Sequence, residues 1–485
     1  MSSYDELIRF IHQYPSDRQP ALPFALEGDS SMLKSKITVQ VPQAGTLAED
    51  TILLGDAYVK QYKLSPGHPV TLKFGSFRTT VRISSGGKGD VMKIGASLAR
   101  QMGIPGGAVL RSSYKQSSST LSFGPLIGVL ISRDYPQQTD RPFGAITMFC
   151  RELVDACAAQ GASVYFLTPD AAVSGSRIEG WVYNGGWRKT SMPVPDVVYN
   201  RLTTRKLENR PSVQQFFKEA KSRYGTQVFN EKFLDKNEVF GALGHESSLA
   251  KYLPDSRLLR SYADLKSMAP RHPVLFLKPE RGSLGKGIIR VSKLEGESVL
   301  ATYTAPAGIR RQSYPSLAKL YSSLGGKLKT VRYQLQQGLT LIDIGKRPVD
   351  FRALVQKNHS GNWALTSIVA RTAGSNHFVS NLARGGTLSR VKEAVARSNL
   401  APGYKAGAGA KLQKAALDIA QGIDARIPAH FGELGIDLAL DTGGRVWLLE
   451  VNSKPSKNDN TPLNEGKIRP SVRNMIQYSR YLAGF

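Results

Sequence analysis

The alternation of apolar and polar residues changes character three times along this chain. Residues 1–34 carry one short helical pattern, Tyr4 to Tyr14, and then a Pro-containing polar stretch, which predicts a loosely attached arm. Over residues 35–115 the pattern turns to short strands, KITVQVP, TILLG, PVTLKFGSFRTTVRIS and GAVLRSSY, with short helices at Asp56–Tyr62 and Ile94–Met102. Period-two runs bounded by Gly, Pro and Ser predict a small β-rich, barrel-like domain. The Ser-rich KQSSST, Lys115 to Thr120, predicts a linker. Strands at 124–132, 162–169 and 196–202 with a helix over Phe143–Gln160 then give the spacing of a Rossmann-like parallel α/β domain over residues 122–228. No GxGxxG follows its first strand, so a scaffold that forms part of a substrate cleft is expected rather than a dinucleotide site. Residues 229–485 mix helices with antiparallel strand signals and predict one larger α+β domain, making the whole chain a multidomain α+β and α/β protein.

Within that last domain the clearest pattern is GELGIDLALDTGGRVWLLEVNSKP, Gly432 to Pro455. IDLALD and RVWLLEVN meet at Gly443-Gly444, the signal of a two-residue hairpin turn in which both positions need positive φ. That turn sets Asp437 opposite Glu450, with Asn452 on the same face. The other face collects Ile436, Leu438, Leu440, Trp447, Leu449 and Val451 as core. Facing carboxylates repel unless a cation lies between them, and two carboxylates with an amide oxygen suit Mg²⁺. A solvated polar face is the plain alternative.

Charge adds the next constraint. The 485 residues include 65 Lys and Arg against 38 Asp and Glu, a net +27. Such a field favours polyanions and says nothing about fold. Cys150 and Cys157, seven apart on a predicted helix, read as buried thiols, which excludes a disulfide framework or a cysteine metal cluster and favours a reducing interior. With neither a signal-peptide pattern nor a long apolar run, a cytoplasmic protein is expected.

Three further segments carry candidate chemistry. FLKPERGSLGKGIIR, Phe276 to Arg290, delivers Lys278 on a strand and turns back through a loop containing Ser283, Gly285, Lys286 and Gly287, whose backbone N–H groups can approach an anion. It lacks the Ser/Thr and following helix of a Walker A loop, and an ordinary Gly-rich hairpin is the rival reading. YQLQQGLTL, Tyr333 to Leu341, offers Gln336, Gln337, Gly338 and Leu339 as backbone donors and an apolar lid for an adenine, or is an ordinary amphipathic strand. VDFR places Asp350 and Arg352 on one strand face, where an ion pair is the plain reading. Arg371 on the partner strand could clamp an acyl phosphate, and Asn381 and His377 follow in a polar loop.

In this order the segments resemble the ATP-grasp superfamily. GPLIGVLIS, PDVVYNR, FNEKFLDKNEV, FLKPERGSLGKGI, VDFRALVQKN, NWALTSIVAR, NLARGGTL and GIDLALDTGGRVWLLEVNSKP resemble, more narrowly, its YheC/YheD endospore coat-associated family, from about Gly124 to the C-terminus. The resemblance implies an ATP-grasp domain preceded by a pre-ATP-grasp α/β domain. It implies that Lys278 and Lys236 contact nucleotide phosphates, with Lys232 competing for the second role, and that Ser283 to Gly287 form the flap. Gln336 to Leu339 stand at the adenine edge, where Gln-Gln replaces a frequent glutamate. Arg371, with Arg352 beside it, stabilises the transferred phosphate. Asp437, Glu450 and Asn452 match the Mg²⁺ ligands of D-alanine–D-alanine ligase and RimK-type enzymes, with Mn²⁺ as a substitute.

The expected activity is an ATP- and Mg²⁺-dependent carboxylate–amine ligase working through an acyl phosphate. Its substrate would be an amino acid, a peptide or an acidic polymer, and the family name adds spore coat proteins as partners. The alternative is a nucleotide-binding coat protein with little turnover. Nucleic-acid binding rests on charge alone and ranks last.

Overall fold

The computed structural model describes residues 36–86, 89–171, 173–280, 287–305, 308–374, 385–457 and 468–485. The expected arm, with its helix over Tyr4–Tyr14, lies outside them. Four sheets follow one another in chain order.

The first is a closed barrel of β1 (Lys36–Gln40), β2 (Thr51–Leu54), β3 (Pro69–Phe74), β4 (Phe77–Ser85), β5 (Val91–Ile94), β6 (Val109–Lys115) and β7 (Thr120–Gly124), in the order 1-5-2-4-3-7-6. Alternate residues such as Ile37, Val39, Leu72, Phe74, Met92 and Leu121 fill its interior. KQSSST is not a linker. Gln116–Ser118 form a 3₁₀ turn between β6 and β7, and Lys115 pairs with Thr120. Serine clusters serve tight turns as readily as linkers, and the inward alternation of Leu121 and Phe123 extends the barrel to Gly124. GPLIGVLIS is accordingly split by the cis peptide bond Gly124-Pro125.

The second sheet holds β8 (Leu126–Leu130), β9 (Ser163–Leu167), β10 (Val173–Ser174), β11 (Arg177–Tyr183), β12 (Trp187–Pro193), β13 (Val197–Asn200) and β14 (Gln227–Phe229). Its order is 10-11-9-8-13-14 with β12 on β11, and β9, β8, β13 and β14 run parallel. The helix Thr147–Gln160 covers one face and buries both cysteines. The barrel docks here through the β3–β4 turn, where Ser76 N donates to the Val194 carbonyl at 2.8 Å and Ser76 Oγ to the Ser176 carbonyl at 2.7 Å.

The third sheet, β15 (Ser256–Leu259), β16 (Val274–Pro279), β17 (Ile289–Lys293), β18 (Val299–Ala305), β19 (Gly308–Tyr314) and β20 (Tyr333–Gln337), is antiparallel in the order 15-20-16-17-18-19. Leu275, Leu277, Ile289 and Leu335 pack one face onto the helices Tyr262–Met268 and Leu317–Ser323. The fourth comprises β21 (Asp343–Ile344), β22 (Arg347–Lys357), β23 (Trp363–Thr372), β24 (Thr387–Ser389), β25 (Glu433–Leu440) and β26 (Val446–Asn452), in the order 24-23-22-25-26 with β21 on β22. Its apolar face, with Phe351, Ala353, Ile436 and Leu438, rests on the helix Ala408–Arg426. The last helix, Pro470–Ala483, returns to the second sheet's core through Val472, Met475 and Ile476.

A buried polar seam joins the second and fourth sheets. Asn230, held at φ +55°, accepts from Gly432 N at 2.9 Å and Glu433 N at 3.1 Å, and donates to the Ser453 carbonyl at 2.6 Å. Glu433 Oε1 accepts from Tyr199 Oη at 2.8 Å, while its Oε2 accepts from Gln356 Nε2 at 2.9 Å and Lys457 Nζ at 2.7 Å. Arg201 Nη2 holds the Pro455 carbonyl at 2.7 Å. Lys454 forms an ion pair with Glu208 in which the side chains are only 2% and 4% exposed. Removing one partner of such a pair strands the other charge, so Glu208→Gln is expected to destabilise the fold by about 3–5 kcal/mol. Glu208→Leu with Lys454→Met should recover most of that loss, read as the urea midpoint at constant slope.

Candidate nucleotide and metal site

The polar face of the fourth sheet is built by register. Strand β22 places Asp350 and Arg352 on the face opposite Phe351 and Ala353, and it pairs Asp350 with Arg371 on β23 and Arg352 with Asp437 on β25. Asp437 in turn stands opposite Glu450, and Gly435 opposite Asn452. The ion pairs run between strands rather than along one. Arg371 Nε meets Asp350 Oδ1 at 2.5 Å, Arg371 Nη2 meets Asp437 Oδ2 at 3.2 Å, and Arg352 Nη2 donates to Asp437 Oδ2 at 3.0 Å. A Cβ at Gly435 would lie 3.0 Å from Arg352 Nη1, so glycine leaves the room that this guanidinium occupies. Burial works against the charge of Arg371, but Asp437 and Asp350 outweigh it and hold the guanidinium more firmly protonated.

The facing of Asp437 and Glu450 follows the expected register, yet the turn that delivers it differs. Only Gly444 has positive φ, at +77°. The Asp441 carboxylate caps a longer loop, accepting from Gly443 N at 3.0 Å, Arg445 N at 2.9 Å and Trp447 Nε1 at 2.9 Å. The last strand pair is Leu440 with Val446, and a bulge at Leu449 restores the alignment before Glu450. That bulge overturns part of the expected core face. Val446, Leu448 and Val451 face the core, whereas Trp447 sits under the Arg445 guanidinium at 3.7 Å and Leu449 is half-buried.

Two lysines approach this face from other elements. Lys236 opens the helix Lys236–Gly244, capped by Asp235, and its Nζ lies 3.3 Å from Glu450 Oε1. Its competitor Lys232 pairs with Glu238 instead. Lys278 on β16 is half-buried and donates to Gln336 Oε1, and Gln336 Nε2 donates to Ser256 Oγ at 3.0 Å. Burial, then the neighbouring Lys236, pushes Lys278 down to about 8, with Glu450 opposing. Lys236, Glu450, Glu280 and Arg205 line one cleft.

Strand β20 lies between β15 and β16, so its backbone is paired on both sides from Tyr333 to Gln336. Gln337 N donates to the Asp255 carbonyl at 2.9 Å and Gly338 N to the Val274 carbonyl at 2.7 Å. The backbone donors of Gln337 and Gly338 are therefore taken up within the sheet, and the chain leaves it toward the half-buried Leu339. Gly338 is glycine for packing: a Cβ would fall 2.6 Å from Val274 Cβ. Gly287 enters β17 at φ +72°. Ser283, Gly285 and Lys286, like His377 and Asn381, lie outside the described residues.

Among the described residues no three His, Cys, Asp or Glu side chains are grouped to hold a metal. The oxygen donors present are two carboxylates and an amide, with Asp437 Oδ1 in ion-pair contact with Arg352 Nε. That chemistry fits Mg²⁺, which takes few protein ligands and completes its shell with phosphate oxygens and water. The cations now beside the carboxylates are the chain's own, Arg352 and Arg371 on Asp437 and Lys236 on Glu450.

Comparison with known proteins decides the family. The family described as YheC/D-like ATP-grasp matches residues 225–482. This chain belongs to it. The endospore coat-associated protein YheD of Bacillus subtilis is 28% identical over 367 residues, covering 75% of this chain and 80% of its own length. YheC of the same organism is 25% identical over 294 residues, covering 58% and 77%. Among solved structures, the VanG D-Ala:D-Ser ligase of Enterococcus faecalis matches at TM-score 0.44 and 12% identity, over 74% of this chain and 99% of that one. The family match makes the fold ATP-grasp, mixed α+β, as the sequence motifs implied.

Sequence reasoning did not single out Glu280, which pairs with Arg332 and accepts from Asn237, nor the seam residues Arg201, Glu208, Glu433 and Lys454. Glu280 directly follows Lys278-Pro279, and a carboxylate beside a phosphate lysine was the available signal. A Lys278 near 8 has a two-sided consequence. Its protonated form penalises the free fold fully below pH 8, and that penalty lifts as pH rises toward the ordinary lysine value of about 10.4. Phosphate binding by Lys278, the role the family resemblance implies, would need the charge. ATP affinity is expected to fall with pH above 8, approaching about tenfold per unit, while the nucleotide-free protein gains stability. Calorimetric titration across pH checks this, and Lys278→Arg should flatten the profile.

Proposed function

We infer that this ATP-grasp protein is an ATP- and Mg²⁺-dependent ligase that joins a carboxylate to an amine. The observation that carries the reading is the convergence of Lys236 and Lys278 with the Arg371–Asp437–Arg352 cluster and Glu450 across two facing elements. Phosphoryl transfer needs positioning and charge neutralisation more than a side-chain nucleophile. Lys278 and Lys236 would hold the nucleotide phosphates. Asp437, Glu450 and Asn452 would hold Mg²⁺, or Mn²⁺ in its place, and the metal would supply charge neutralisation at the phosphates.

A substrate carboxylate oxygen attacks the γ-phosphorus as the bond to the β-phosphate oxygen breaks, giving an acyl phosphate and ADP. Arg371 and Arg352 stand where the transferred group gathers negative charge. An amine nitrogen then attacks the acyl carbon, phosphate leaves, and the nitrogen gives up a proton to form the amide. An amino acid, a peptide or an acidic polymer fits a basic protein, and the names of the YheD and YheC relatives support association with the endospore coat.

A second reading, a nucleotide-binding coat component with little turnover, draws on one observation: both facing carboxylates already have cations of the chain beside them. ADP release measured over amino acids, dipeptides and acidic polymers separates the two. Stimulated release supports the ligase, and no release while ATP still raises the melting temperature supports the second reading. Glu450→Gln is expected to lower Mg²⁺-dependent ADP release by about 100-fold or more, with the circular dichroism unchanged. Unaltered turnover would remove Glu450 from the metal set.

A further inference from the structure

Among the described residues, no further strand pairs with the outer side of the third sheet's last strand. Strand β19 pairs with β18 on one side and closes the strand order on the other. Among the described residues its outer backbone groups have no main-chain partner in another element. Long exposed edges recruit further strands unless they are blunted, and charged side chains are the usual blunting device. Here the charges are of one sign.

Residues 256–337, which make up this sheet with its helices, contain fifteen Lys and Arg against four Asp and Glu. Two of those acids are already engaged, Glu280 with Arg332 and Asp264 in the cap of its own helix. Arg310 and Arg311 are exposed on the edge strand, and among the described residues neither they nor Arg290 and Lys327 have a carboxylate in ion-pair range.

The register divides these cations between the two faces. Arg311 stands opposite Thr302, which stands opposite Arg290, which stands opposite Phe276 on β16. This row lies on the same face as Lys278 and Gln336. Arg310 points to the other face, 5.9 Å from the Tyr303 ring, with Lys327 5.3 Å from the same ring. A strand laid along β19 would therefore meet a cation on both of its faces. Alternate side chains would approach Arg311 and Arg310 in turn.

We propose that β19 is a docking edge for an acidic peptide segment, which adds to the sheet as a seventh strand and feeds its reactive carboxylate toward Lys278. Main-chain hydrogen bonds would supply affinity and register, and the arginines would select a run of consecutive Glu or Asp rather than an alternating one. From the added strand, β16 lies four strand spacings away, roughly 19 Å, which about six extended residues span. The feeding step rests on the ligase reading above; the docking step does not. A single-stranded nucleic acid is the lesser fit, because such sites stack bases on exposed aromatic rings. The rings beside this edge, Tyr303 and Tyr314, are instead joined hydroxyl to hydroxyl at 2.9 Å.

The test uses the full chain without nucleotide, titrated into a fluorescent peptide of about ten consecutive glutamates and read by anisotropy at physiological salt. Saturable binding is expected, weakened about tenfold by Arg310→Gln with Arg311→Gln, and weakened comparably when alternate peptide nitrogens of the probe are methylated. Unchanged binding by the double variant, with circular dichroism confirming its fold, places the peptide elsewhere and overturns the proposal. Equal binding of the methylated probe overturns strand addition, and tighter binding of an RNA of equal length overturns the peptide assignment. ADP release in the presence of the same peptide separates the two readings. Binding without release sinks the ligase and leaves the docking edge, whereas release indifferent to Arg310 and Arg311 does the reverse.

Discussion

Glu433 is the group on which the rest of the cleft depends. It is 1% exposed, and a carboxylate taken that far from water is tolerable only when its lone pairs are filled. Tyr199 and Arg201 reach it from the second sheet, Gln356 from β22, and Lys457 from beyond β26. The partners come from three separate stretches of chain, so the satisfied state exists only when the two sheets are in place together. Asp437 lies four residues along the same strand, and Glu450 faces it from a strand whose far end is held by Asn230, Arg201 and Glu208. The geometry of the site is thus inherited from a seam about four residues away that contributes no chemistry of its own.

The electrostatics of the site follow from partial burial and a surplus of cations. Asp437 receives two guanidiniums, while Glu450 receives one ammonium and feels a second that is half-buried. On the proposed reading, nucleotide and metal together would bring more negative charge than positive, and their arrival would relieve the repulsion between Lys236 and Lys278. A pocket that is over-positive when empty selects for a highly charged anion with its counter-ion, and against a neutral small molecule.

The legibility of all this in the sequence was uneven, for identifiable reasons. Alternation within IDLALD and LLEVN was enough to put Asp437 and Glu450 on one face, because a strand's period is fixed by covalent geometry. The loop was not legible: Gly-Gly permits a tight turn, but Asp441 had its own carboxylate to offer the backbone and made a longer one. Trp447 and Leu449 were misplaced by that single residue of difference. KQSSST misled because serine speaks to local conformation and not to whether the chain goes on pairing. That Gln336 lies in a central strand was not legible either, because period-two alternation does not reveal whether a strand is central or at an edge. The seam was invisible throughout, since Glu208 and Lys454 are 246 residues apart.

The bulge at Leu449 has a bearing on how this hairpin can change over time. It separates the strand pair into a loop-side register and a site-side register that differ by one residue. The site-side register is held by β22 and the seam, and the loop side by neighbours of its own, with Thr442 N on the Thr340 carbonyl at 3.2 Å and Arg445 Nη2 on the Lys251 carbonyl at 2.7 Å. The two halves of the hairpin are thus moored to different parts of the molecule, and the bulge is the joint between them. A shift of the tip by one residue could be taken up at that joint while both carboxylates stay where they are.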